Sequence, residues 1–158
     1  MAAEPAYAPP SDVHPVLRPG SAPKAALELL AQAHAGLAEA AEMETANERY
    51  SLAHLAALRT AAAVLAVRGR PEPSPRRRQR IRSAWEVLPE VAPELAEWSA
   101  MFAAGARLRA RAEAGIRDAV DAQEAADLLR AAGMFTRIVE RMLVVQPLIR
   151  PQPGPEVR

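Results

Sequence analysis

The 158-residue chain is half apolar but only 4% aromatic, has no cysteine and carries a formal net charge of +1. That length suits one domain with its own core, and the missing cysteine excludes a disulfide framework and thiolate metal sites. Apolar content drawn largely from alanine points to closely packed helices, and a charge near zero makes the placement of the arginines more informative than their sum.

The beginning of the chain shows no basic segment followed by an apolar core, and no apolar run approaches the roughly 20 residues of a bilayer span, so a cytoplasmic location is expected. Residues 1–20 hold Pro5, Pro9, Pro10, Pro15 and Pro19 among small and polar residues. Backbone donors are missing there and no periodic apolar face forms, which predicts a disordered or extended arm. His14 lies in that arm and is given no role. Ser21 followed by Pro23 marks a helix start, because the hydroxyl can cap free amides and proline loses no bond in the first turn. The first helix is expected from about Pro23 to Met43, with a seam of Leu27, Leu30, His34, Leu37 and Ala41. His34 then sits at the seam edge, hydrogen-bonded or facing a groove, with no nearby partner in sequence for a ligand role.

Thr45 and Asn47 can cap a second helix, Asn47 to Arg68, which Gly69 and Pro71 end. Its sequence, NERYSLAHLAALRTAAAVLAVR, lays Leu55, Leu58, Ala62 and Leu65 along one side, the side expected to be buried. The junction is short, so the first two helices should form an antiparallel hairpin. From Arg68 to Arg82 the chain reads RGRPEPSPRRRQRIR. Prolines extend its first half and like charges repel in its second, as in a solvated linker. Arg76, Arg77, Arg78, Arg80 and Arg82 are also candidates for nonspecific attraction to a phosphate backbone, where a planar guanidinium can hold two oxygens.

Pro89 and Pro93 interrupt the third apolar region. A short helix from Arg78 to Leu88 is expected, then a bend, then a main third helix from near Pro93 that buries Leu95, Trp98 and Phe102. Gly105 permits close approach on the same face. Trp85, Trp98 and Phe102 fall in phase with the apolar seam, which makes them core anchors rather than platforms for stacking bases. Arg107, Arg109 and Arg111 follow, with Gly115 as the stop. Asp121 begins the last helix, whose expected stripe is Leu128, Ala132, Phe135, Val139 and Met142. Gly133 marks an expected close helix contact. After Val145 the chain becomes a second proline-rich tail, residues 146–158.

Three segments together resemble the HEPN superfamily (higher eukaryotes and prokaryotes nucleotide-binding), and within it a set of small actinobacterial proteins. They are ERYSLAHLAALRTAAAVLA, AWEVLPEVAPELAEWSAMFAAGARLRARAEAG and QEAADLLRAAGMFTRIVE. The resemblance implies an all-α, up-and-down four-helix bundle over residues 21–145, its third helix preceded by a short proline-bent one, and usually a dimer. In many members a cleft at the dimer interface binds or cuts RNA without a metal, using an arginine, four to six residues, then a histidine. Arg49 and His54 have that spacing, although in the ribonuclease members the signature lies nearer the end of the domain. Positions five apart on a helix diverge by about 140°, so one copy cannot close the pair on a small group. Two copies around a twofold axis could, with an arginine on the phosphate, a histidine exchanging the proton of a ribose 2′-hydroxyl, and Tyr50 and Ser51 lining the cleft. The structural alternative pairs Arg49 with Glu48 or Glu44 and leaves His54 filling a groove.

Three functions follow from these observations. The first is a noncatalytic, dimeric interaction or nucleic-acid-associated module. The second is a metal-independent endoribonuclease of toxin or defence type using Arg49 and His54. The third is an accessory subunit of a larger complex. No metal or cofactor is called for, and the expected partners are a second copy, through the second and last helices, and RNA or another protein.

Overall fold

In the computed structural model the described residues are 22–69 and 82–148, with side chains up to 143. The expected arm, the arginines from Arg76 to Arg80 and nearly all of the tail lie outside them. The described chain is all-α: α1 (Ala22–Glu42), α2 (Ala46–Arg68), the short α3 (Ala84–Val91), a 3-10 turn (Pro93–Leu95), α4 (Ala96–Glu113) and α5 (Ala122–Leu148). This is the expected bundle with its additional short helix.

α2 is the axis, with α1, α3, α4 and α5 all packed on it. Thr45 starts it, accepting from the Glu48 amide at 3.2 Å and donating to the Glu48 carboxylate at 2.9 Å, a reciprocal cap. Its expected seam is corrected by the packing. Leu55, Leu58, Ala62 and Leu65 are only half-buried, whereas Ala53, Ala56, Ala57, Ala61 and Val64 are fully enclosed. A helix approached from several sides brings its neighbours in where its side chains are smallest, so size outweighs hydropathy in choosing the buried faces. In α1 Leu30 is buried and Leu37 half-buried as expected, but Ala26, Ala33 and Ala40 take the other inner places and Leu27 is 60% exposed. A Cβ on Gly36 would already touch the Ala56 Cβ at 3.5 Å. α2 is also the one described helix long and apolar enough to cross a bilayer, which the sequence reading did not anticipate. Its apolar window is 56% buried inside the fold, the environment that this composition serves here.

The third region departs from expectation at both ends of its short helix. α3 starts at Ala84, not Arg78, because Ser83 is its extended cap and accepts from the Glu86 amide. It then runs past Pro89 to Val91. Pro89 has no N–H for the Trp85 carbonyl one turn earlier. The Ser99 hydroxyl of α4 supplies the missing donor at 2.5 Å, and the helix continues. It breaks at Ala92, whose backbone is pushed away from helical geometry by the following Pro93.

α4 closes with paired bonds from the Ile116 amide to the Arg111 carbonyl (3.2 Å) and from the Gly115 amide to the Ala112 carbonyl (3.1 Å). Gly115 takes the left-handed conformation that this ending requires, at φ 74°. Asp121 and Glu124 exchange bonds of 2.7 and 2.9 Å to start α5. Leu128, Ala132, Phe135 and Val139 are buried as expected and Met142 is half-buried, while the helix extends beyond Val145 to Leu148. Gly133 makes no close contact among the described residues, none of which lies within 4 Å of where its Cβ would be. Trp85, Trp98 and Phe102 are core anchors. They gather around Phe135, with centroids at 5.1 Å for Trp85–Phe102, 5.2 Å for Phe102–Phe135 and 5.7 Å for Trp98–Phe135.

The substitution Ser99→Ala should lower stability by about 1–3 kcal/mol, the cost of leaving the buried Trp85 carbonyl without a donor. In that background Pro89→Ala restores an amide one turn later and should recover much of the loss. Urea denaturation of the two single variants and the double variant measures this, and additive losses would show that the two residues do not share the carbonyl.

Candidate functional site

His54 lies between α2 and α4 with no exposed surface. Alanine at positions 53, 57 and 61 keeps α2 thin enough for an imidazole to fill the space, and three rings enclose it: Tyr50 at 6.4 Å, Trp85 at 5.9 Å and Phe102 at 6.2 Å between centroids. Both ring nitrogens are engaged. Nε2 is 2.8 Å from the Phe102 carbonyl and Nδ1 is 3.3 Å from an Arg109 guanidinium nitrogen. A guanidinium only donates and a carbonyl only accepts, so Nδ1 accepts and Nε2 carries the proton in a neutral ring. Burial lowers the pKa of His54 below its ordinary value. The Phe102 carbonyl opposes that shift and the Arg109 charge adds to it.

The surrounding groups hold this arrangement. Glu113, one turn after Arg109, takes the guanidinium Nε at 3.1 Å. The Tyr50 hydroxyl donates to the Gly105 carbonyl at a long 3.4 Å, and burial, with the Glu124 charge second, raises its pKa. Gly105 is needed for that approach, since a Cβ there would lie 2.6 Å from the Tyr50 oxygen. Ser51, beside it in sequence, is half-buried.

Arg49 lies on another face of α2, as the angular step between the two positions requires. Its Nη2 donates to the Met43 carbonyl at 2.7 Å, and its Nε is buried without a partner among the described residues. Neither Glu44 nor Glu48 pairs with it, because Glu48 is engaged by Thr45. A single chain therefore does not bring Arg49 and His54 together. Of the basic run only Arg82 is described. It contacts both carboxylate oxygens of Glu90, at 2.5 and 3.1 Å, and approaches Glu86 at 3.8 Å. These three residues form one side of an open cleft of about 460 Å³ between α3 and α4, floored by Ala96, Ala100 and Ala103. Among the described residues no group of three His, Cys, Asp or Glu side chains is placed to hold a metal.

Sequence reading missed Arg109 and Glu113 as the groups around His54. Their i,i+4 spacing was a visible signal for the pair, but nothing local tied them to a residue on another helix. His34, expected at a seam edge, is exposed and sits 3.0 Å from Glu140 of α5. Asn47 is more than a candidate cap: its amide donates to the Ile116 carbonyl at 2.9 Å and its oxygen accepts from the Val120 amide at 3.2 Å.

A depressed histidine pKa means that the unfolded chain binds a proton more readily than the folded one. The stability contributed by neutral His54 is therefore fully present above about pH 6.5, the unfolded value, and is lost as pH falls toward the lower folded value. The urea midpoint of the parent should drop across that interval, and His54→Gln should flatten the slope. An unchanged slope in the variant would assign the acid sensitivity to other groups.

The model of the SAV_6107-like HEPN family matches residues 40–140. No curated protein and no solved structure gave a match. The matched stretch covers all of α2, α3 and α4 and most of α5, including the His54 surroundings and the aromatic cluster, and it amounts to well over half of the sequence. The chain belongs to the SAV_6107-like HEPN family.

Proposed function

We infer that this HEPN domain is a noncatalytic module, working as a dimer in the cytoplasm and engaging its partner by surface contact rather than by chemistry on RNA. The observation that carries this reading is the state of His54. A general acid or base must come within hydrogen-bond reach of the proton that it moves. Both nitrogens of His54 are already committed, to Phe102 and Arg109, and its ring has no exposed surface. Arg49 is held by the Met43 carbonyl on another face. The pair behaves as structure within the chain.

Nucleic acid is the partner proposed for the basic segment that includes Arg76, Arg77, Arg78, Arg80 and Arg82. Four of these five lie outside the described residues, so their contribution is read from charge alone. Purified parent protein, incubated with end-labelled single-stranded RNA in chelator, should leave the RNA intact, as should His54→Ala. Cleavage by the parent that disappears in a folded His54→Ala variant would overturn this reading in favour of the ribonuclease. RNA retention on a filter should weaken steeply between about 50 and 200 mM salt, as displacement of phosphate counterions demands. Salt-insensitive retention, or none, would instead favour docking on another protein as an accessory subunit.

A further inference from the structure

α1 exposes three carboxylates and one cation, Lys24, and the later half of α5 exposes mostly arginine. On α1, Glu28, Glu39 and Glu42 are exposed, and none has an ion-pair or hydrogen-bond partner among the described residues. The later half of α5 carries the opposite sign. Arg130 pairs with Asp127, while Arg137 and Arg141 are exposed and without a partner among the described residues. These two lie one turn apart, where like charges repel. The one carboxylate near them, Glu140, is directed across to His34 of α1 at 3.0 Å. The two helices are thus neighbours, and each has outer charge that no described residue compensates.

The same two helices expose apolar surface and open space. Leu27 on α1 is 60% exposed and Met134 on α5 is 46% exposed, and beside Met134 the missing side chain of Gly133 leaves room that none of the described residues fills. We propose that the outer faces of α1 and α5 form the contact between two copies of this chain, with α1 of each copy lying on α5 of the other. This deepens the dimeric reading above and depends on it.

The signs of the charges match in one arrangement of α1 and α5. α1 and α5 run antiparallel, since α1 forms a hairpin with α2 and α5 starts beside the beginning of α2. A twofold axis across the helices at the height of Arg137 and Arg141 would set α5 on α5 with those arginines against their own equivalents. An axis along the helices sets α1 on α5 and brings arginine to glutamate at both ends of the contact. The heights agree. With His34 level with Glu140 and a rise of 1.5 Å per residue, Glu39 stands at about the level of Phe135 and Glu42 at about the level of Ala132. Both are then within reach of the long side chains of Arg137 and Arg130. The last helix stays in the interface as expected from sequence, but α1 replaces α2, because α2 is surrounded by its neighbours.

Sedimentation velocity on the full chain tests this. The parent should run at twice the 17.0 kDa chain mass. The double reversals Arg137→Glu/Arg141→Glu and Glu39→Arg/Glu42→Arg should each run as single chains with parental helicity, and an equimolar mixture of the two should regain the double mass. The milder Arg137→Gln/Arg141→Gln should weaken the parent dimer at least tenfold while keeping α5 helical. A dimeric parent whose reversed variants stay dimeric, or two monomeric variants that fail to associate when mixed, would overturn this face and leave the dimeric reading standing. A parent of single-chain mass at every concentration would overturn both.

Discussion

Small side chains on α2 decide the shape of this molecule. Alanine at positions 53, 56, 57, 61 and 63 has no exposed surface, so α1, α3, α4 and α5 can close on one helix from several directions. A helix of leucines could not be approached so tightly without wider spacing or strained rotamers. The leucines are therefore displaced to the remaining strip, and the large apolar mass of the core comes from elsewhere, from Trp85, Phe102 and Phe135 on the helices that surround the axis. His54 belongs to this economy of space. It is among the largest side chains on α2 to be fully enclosed, and it is enclosed because aromatic rings and a backbone carbonyl meet it from α3 and α4.

That placement joins stability to function. The Arg109 and Glu113 pair that fixes the imidazole would, at an exposed histidine, tune a proton carrier. Here the same contacts complete the hydrogen bonding of a ring taken out of water, as a buried polar group requires. Family membership fixes the architecture, and the state of individual side chains decides what that architecture does.

How much could be read from the sequence followed the range of each signal. Helix ends governed by adjacent residues were legible: Thr45, Asp121 and Gly115 act where their local chemistry predicts. The faces of α1 and α2 were less so, because hydropathy alone put Leu27 and Leu55 inward when the choice depended on how many helices would crowd the same side. Pro89 illustrates the limit from the other direction. The local rule correctly removed an amide from α3, but the hydroxyl that repairs the loss comes from Ser99, ten residues later on another helix. The spacing of Arg49 and His54 was visible in the sequence. That one is tied to Met43 and the other to Phe102 and Arg109 was not, since each partner is chosen by the packing of elements and not by the intervening residues.

Asn47 has a role that extends beyond its own helix. One side chain holds an amide and a carbonyl of the segment between α4 and α5 while its backbone belongs to the first turn of α2. The end of one helix, the start of another and the foot of the central one are therefore tied at a single polar knot. Val120, a buried residue in a connecting loop, has its amide closed by that knot. Its proton should exchange with solvent as slowly as those of the core helices, so that the base of the bundle opens together with the rest of the domain rather than fraying ahead of it.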